Sequence, residues 1–212
     1  MDLKTAKIMA SFGVEMEKDK RNYIIHPYKF NLWLFLLTVI MVFGGLTSAY
    51  IVALSFVDEA SRIFFTLPQI LWQNLVVILF SSITMQYAVW AVKRGETKKA
   101  MLSLILTFIL GMVFLVGQLA AWKDLTFLQD LPFVDPARRD NSVTFLYVFT
   151  FLHGLHIIAA LIALLITLIQ TSLNHFNTTK GLAYELTGTF WHFLGLLWIY
   201  LFAVLYYYTE IH

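Results

Sequence analysis

Five stretches of this chain carry apolar side chains almost without interruption, near residues 30–54, 67–92, 99–122, 142–171 and 181–208. Each reaches the ~20 residues that an α-helix needs to cross a hydrocarbon core. Lipid offers no partner to backbone N–H and C=O groups, so each stretch must satisfy them internally as a helix. The pattern therefore predicts an all-α polytopic membrane protein: a five-transmembrane-helix bundle over 30–212, preceded by a polar tail over 1–29. The connection KDLTFLQDLPFVDPARRDN contains Pro132 and Pro136 and reads as the longest extramembrane loop, a docking surface. In the tail, the spacing of Ile8, Met9, Phe12 and Met16 predicts a surface helix around Ala6–Met16 with these as its apolar side.

Composition agrees, with 59% hydrophobic and 13% charged residues, a balance far from that of a soluble domain. Nothing basic or repetitive points to a nucleic-acid partner. There is no cysteine, hence no disulfide framework and no thiolate metal site. The tail lacks the apolar core of a cleavable signal, so the first span is expected to act as the insertion signal. Basic residues fix the orientation. Of fifteen Lys and Arg, six lie in the tail, four in the loop KRGETKK (Lys93, Arg94, Lys98, Lys99) and one at Lys180. All eleven fall on one side if the N-terminus is inside and the C-terminus outside, which makes residues 1–29 a cytoplasmic tail.

Candidate chemistry lies in the polar residues left inside the spans. His153 and His156, in HGLH, share a face of the fourth span; Glu185 and His192, seven residues apart, share a face of the fifth. At ~1.5 Å per residue His156 and His192 reach similar depths, and Glu185 stands roughly 10 Å nearer the inner surface. Three readings compete. The histidines ligate a metal or haem, although such sites normally take three or four donors and an orienting shell. Glu185 relays protons with a pKa raised by desolvation. Or the four side chains hydrogen-bond one another and clasp helices four and five together, where an unpaired polar group is expensive. Gly44, Gly45, Ser48 and Ala49 in span one, and Gly111, Gly117, Gly154, Gly188 and Gly195 in later spans, suit close helix packing. Span two carries Gln69, Gln73, Asn74, Ser81, Ser82, Thr84 and Gln86, too polar a load to face lipid. It must pack against its siblings or dock to another subunit.

HGLH, preceded by Thr150 and followed by Glu185-x5-Trp191-His192-Phe193 and Trp198, resembles the last two helices of subunit III of the haem-copper oxidases, the cytochrome c and quinol oxidases. Trp33 within HPYKFNLWLFLLTVIMVF is similar to the opening of the family's corresponding helix. Gly111, Phe114 and Gln118 fit its G-x-x-F-x-x-x-Q pattern. Gly154, Trp191 and Trp198 complete the motif set. The resemblance runs from His26 almost to the end, and five helices match the short bacterial form.

That resemblance implies a non-catalytic subunit in a bacterial cytoplasmic (inner) membrane. No haem, copper or other cofactor is expected in this chain; those belong to the partner subunits, while bound phospholipid is expected. Catalytic subunit I would be the main contact, with subunit II, smaller subunits and a larger respiratory supercomplex as further partners. The implied role is to stabilise subunit I and support its proton uptake. The alternatives are a subunit III-like accessory protein of a nitric oxide reductase and a self-contained His-ligated membrane cytochrome. This sequence departs from the family at four places: Val39 where a buried glutamate is usual, Thr38 for the serine before it, Ala121 for an acidic residue after the glutamine, and Gly195 for the aspartate of WHFVDVVW.

Overall fold

The computed structural model describes residues 27–56, 67–128, 142–173 and 180–208. The tail before Pro27, the long loop with Pro132 and Pro136, and His26, His175 and His212 lie outside the described residues. Five helices match the five apolar stretches: α1 Pro27–Ser55, α2 Gln69–Lys93, α3 Thr97–Lys123, α4 Ser142–Ser172 and α5 Lys180–Tyr206. All five are long and apolar enough to cross a membrane. The chain divides into two compact units, Met1–Phe35 and Leu36–His212. The contacts below all lie within the second.

Buried positions recur every three or four residues along each helix, as a packed stripe requires. On α2 they are Leu71, Asn74, Ile78, Ser81, Met85 and Ala88. On α3 they are Leu104, Thr107, Gly111, Phe114, Gly117 and Ala121. The other faces keep large apolar residues such as Ile83, Leu102, Val116 and Ile162 exposed, as suits contact with acyl chains. Helices α2, α3, α4 and α5 close a ring in which each packs against the next and α5 returns to α2. From α1, Tyr50 meets Phe145 and Phe149 of α4, Phe43 meets His156, and Thr47 accepts a hydrogen bond from Tyr200 of α5.

Trp191 of α5 stands at the centre of the ring. It is fully buried, and its indole Nε1 donates to Ser81 Oγ of α2 at 3.0 Å. A Cβ at Gly111 of α3 would come within 2.7 Å of its ring and 2.8 Å of Leu161 of α4, so only glycine lets the indole lie there. Gly117 does the same for the Asn74 amide, which a side chain there would overlap. The close packing expected of the glycines thus holds at positions 111 and 117, and at 188 and 195, where a Cβ would meet Val89 at 3.1 Å and Ser82 at 3.2 Å, whereas a Cβ at Gly44, Gly45 or Gly154 would meet nothing within 4 Å.

The α2–α3 turn is equally specific. Gly95 adopts φ 77°, the Glu96 amide donates to Ala91 O at 3.0 Å and the Gly95 amide to Val92 O at 3.0 Å. This pair of bonds is a Schellman cap, which satisfies carbonyls that the helix end leaves free and turns the chain back within three residues. Glu96 also pairs with Lys99 at 3.0 Å in the first turn of α3. Because a Cβ in this left-handed conformation costs roughly 1–2 kcal/mol, Gly95→Ala should lower unfolding stability by about that much. Gly95→Asn should cost less, since asparagine tolerates the conformation. Denaturant titration of the detergent-solubilised chain reads both.

Candidate functional site

The polar side chains of the spans do not gather into one site. They form seams between helices, and the seams join different pairs from those expected. Glu185, at the first turns of α5, pairs with Lys93 at the last turn of α2, Nζ to Oε1 at 2.8 Å. Seven residues along the same face, His192 Nε2 donates to Gln86 Oε1 of α2 at 3.1 Å. Trp191, next to His192, reaches Ser81, further along α2 than Gln86, and a Cβ at Gly195 would meet Ser82 Oγ at 3.2 Å. The glutamate and histidine do share a face, but it faces α2. The clasp expected between helices four and five through His153, His156, Glu185 and His192 is corrected accordingly.

Helices α4 and α5 are joined by hydroxyls instead. Thr167 and Thr187 bond at 3.1 Å, and Thr171 Oγ1 meets Tyr184 Oη at 2.9 Å. Thr167 also donates to Ala163 O at 2.9 Å and Thr171 to Thr167 O at 2.7 Å, so every hydroxyl in this seam has a partner where water is excluded. Sequence reasoning passed over these residues. Their signal was the i, i+4 spacing of Thr167 and Thr171 opposite the i, i+3 spacing of Tyr184 and Thr187. A matching bond, Thr84 to Thr107 at 2.8 Å, ties α2 to α3. The polar load of α2 is thus largely spent on its sibling helices.

The two histidines of HGLH diverge. His156 Nδ1 donates to Leu152 O of its own helix at 2.7 Å, and its ring lies 5.7 Å from that of Phe43. His153 is fully buried, stacked on Trp198 at 5.0 Å and 30°, with Phe114 edge-on at 5.7 Å. Both its ring nitrogens, the Gln118 amide and the Trp198 indole nitrogen are buried without a hydrogen bond to any of the described residues. Among the described residues, no three His, Asp or Glu side chains come close enough together to hold a metal ion. The geometry therefore does not supply the ligand set that the metal reading needs.

The Glu185 carboxylate is 30% exposed and Lys93 53%, so this pair sits at the rim of the bundle rather than in its dry interior. An ion pair so placed contributes about 0–1 kcal/mol and is screened by salt. What the arrangement can do is fix the rotation of α5 against α2, with the charged pair at the membrane edge and neutral hydrogen bonds deeper.

A model of the family described as cytochrome c oxidase subunit III matches residues 13–210. The chain belongs to the cytochrome c oxidase subunit III family. Among its relatives, the probable cytochrome c oxidase subunit 3 of Mycobacterium tuberculosis is 31% identical over 132 residues, 62% of this chain and 63% of the relative. Cytochrome c oxidase subunit 3 of the sea urchin Paracentrotus lividus is 32% identical over 133 residues, and that of the cod Gadus morhua 33% over 137. Each of these two matches covers 63% of this chain and 48% of the relative, so the chain spans about half the length of the animal proteins it matches.

The motif residues shared with the subunit III family take unlike positions. Trp191, Trp198, His153 and Gln118 are core residues, Gly154 lies half-exposed on α4, and Trp33 is 64% exposed on α1. The departures are packed: Val39 and Ala121 are buried, and Gly195 admits Ser82.

Two outcomes follow. A double-mutant cycle of Gln86→Leu and His192→Phe should show a coupling of about 0.6–1.7 kcal/mol in unfolding, whereas Lys93→Met with Glu185→Gln should show less and lose it in high salt. His153→Phe keeps the aromatic stack and removes two unsatisfied nitrogens, so stability should hold or rise. A loss of 2 kcal/mol or more in that variant, about the cost of stranding a buried polar partner, would mean that the imidazole has a partner of its own.

Proposed function

We propose that this chain is a non-catalytic, cofactor-free accessory subunit of a respiratory haem-copper oxidase, seated laterally on the catalytic subunit and stabilising it. The observation that carries this reading is how the subunit III bundle uses its polar groups: Glu185, His192, Ser81 and the Thr167–Thr187 seam hold helices to one another. In this reading haem and copper reside in the partner subunits, subunit I is the main contact, and subunit II and smaller subunits complete the assembly. The protein is a multi-pass membrane protein. Its place in a bacterial cytoplasmic membrane, with the N-terminus inside, rests on the Lys and Arg distribution and on the mycobacterial relatives.

The outward face of α1 supports the lateral contact. Gly44, Gly45, Ser48 and Ala49 are all exposed, and a Cβ at either glycine would meet nothing within 4 Å. A stripe of small residues lets a second helix approach closely, which is how helices associate where lipid removes the hydrophobic drive. Proton uptake by the catalytic subunit is supported indirectly in this reading. Glu185, tied to Lys93 at the helix end, contributes through the position it gives α5.

Native purification of the tagged chain with mass-spectrometric identification of its companions tests the proposal. A haem-copper catalytic subunit should co-purify, with its haem spectrum unchanged when this chain is stripped away. Gly45→Leu should weaken co-purification roughly tenfold, equivalent to about 1.4 kcal/mol, while the chain itself still folds, since the added side chain points into open space. Glu185→Gln should leave both retention and turnover near normal; slowed turnover with full retention would make Glu185 a proton carrier instead. A catalytic subunit of nitric oxide reductase in the eluate, or stoichiometric haem in the isolated chain, would overturn the reading.

A further inference from the structure

The two ring nitrogens of His153, both amide atoms of Gln118 and the indole nitrogen of Trp198 have no hydrogen-bond partner among the described residues. The three residues are 0%, 3% and 1% exposed. They come from three helices and meet around Phe114. Its ring lies 5.7 Å from that of His153 on α4 and 5.1 Å from that of Trp198 on α5, and these two stack on each other at 5.0 Å. Gln118 stands one turn beyond Phe114 on α3. One turn further, Trp122 donates to Thr150 Oγ1 at 2.9 Å, and Thr150 is one turn before His153 on α4. The antiparallel register of α3 and α4 therefore sets Gln118 opposite the interval from Thr150 to His153.

A buried polar atom left dry carries its full desolvation penalty. Elsewhere this interior avoids it: Thr107, Thr167, Thr171 and Trp191 all have partners. The trio cannot satisfy itself. Stacked rings hold their N–H groups and lone pairs in their own planes, so His153 and Trp198 do not serve each other. The imidazole nitrogens point away from one another, so a single carboxamide cannot reach both. A neutral imidazole offers one donor and one acceptor, a carboxamide two donors and an acceptor oxygen, and an indole one donor. Donors dominate this set, which disfavours a cation, and no charged side chain is buried among the described residues to balance an anion. Water, which both donates and accepts, matches it. Room adjoins the amide: Gln118, Thr150 and Gly154 line a cavity of about 210 Å³, and nothing lies within 4 Å of where a Cβ at Gly154 would stand. One water fills about 30 Å³.

We propose that His153, Gln118 and Trp198 form a hydration site inside the bundle, in which a pair of water molecules bridges imidazole, carboxamide and indole. One water makes at most four hydrogen bonds, fewer than these atoms need, so two is the smallest number that serves them all. The cavity shares Leu119, Trp122 and Phe151 with a wider one of about 700 Å³ that reaches Lys123 and Thr126 at the end of α3, which gives water a way in from the membrane surface. A water that loses the imidazole can leave by the same way, in keeping with the near-neutral effect expected of His153→Phe. The site does not depend on which complex the chain serves.

The test uses the full chain in lipid bilayers, isotope-labelled at tryptophan and histidine nitrogens, and solid-state NMR transfer of magnetisation from water protons. Resonances are assigned by single replacements with phenylalanine. Trp191 is the internal control, as deeply buried as Trp198 but bonded directly to Ser81. Water cross-peaks should reach the Trp198 indole and the His153 ring, and none should reach the Trp191 indole. Gln118→Met, similar in size but without the amide, should weaken both cross-peaks several-fold. An unmoved Trp191 resonance in that variant would show that the packing survives. Dry Trp198 and His153 side chains, as a direct bond to Gln118 would leave them, would overturn the proposal. So would water reaching Trp191 as readily, or cross-peaks that Gln118→Met leaves unchanged.

Discussion

A polar group inside a membrane has no water to fall back on, and the packing of this bundle depends on that constraint. Thr47, Thr107, Thr150, Thr167 and Thr171 each donate to the carbonyl four residues back. These are local solutions that cost no tertiary structure. Groups that cannot turn to their own backbone must find another helix. Trp191 finds Ser81, His192 finds Gln86 and Tyr184 finds Thr171, so α5 is held against α2 on one side and α4 on the other. Glycine completes the logic, because an indole or an amide fits between helices only if the helix it lies against leaves space. Gly111 and Gly117 leave it.

Charge is placed by the same rule. The acidic side chain of α5 stands at the bundle's rim, where Lys93 at the end of α2 answers it and solvent reaches both. Neutral donors and acceptors take the deeper positions, where an ion would cost several kcal/mol. His153, Gln118 and Trp198 are the departure from this order: five buried polar atoms without hydrogen-bond partners among the described residues. Ring contacts with Phe114 and with each other hold His153 and Trp198 in place.

The spans were legible because bilayer thickness sets their length, and the boundaries of α1 to α5 fall within three residues of the apolar stretches. The shared face of Glu185 and His192 was legible too, since helical period alone decides it. The neighbour across from that face was not. In a soluble bundle the apolar stripe marks the inside, but here lipid and core are both apolar, so hydropathy does not fix how each helix turns about its axis. Depth arguments matched His192 with His156, whereas the partner is Gln86 at the same level on a helix on the other side. Only the polar load of α2 carried that information. The glycines divide likewise: Gly111 and Gly117 meet neighbouring helices, while Gly44, Gly45 and Gly154 face outward, and their spacing in sequence does not tell the two groups apart.

The sites where this chain departs from the resembling family argue the same way. A carboxylate at position 39 would stand where Val39 is 3% exposed, and one at position 121 where Ala121 is 1% exposed. Either would enter a dry interior and require a partner there. An aspartate at position 195 would meet Ser82, so glycine there brings α2 and α5 closer and replaces a buried charge with contact between helices. Three substitutions in one direction, each removing an ion and each filled by packing, give an interior that holds its shape without titrating at those positions. Any influence this subunit has on an oxidase would then pass through where its helices stand and what they touch. That puts the weight on the outward surfaces, such as the small-residue face of α1, rather than on the histidines and the glutamate that first draw the eye.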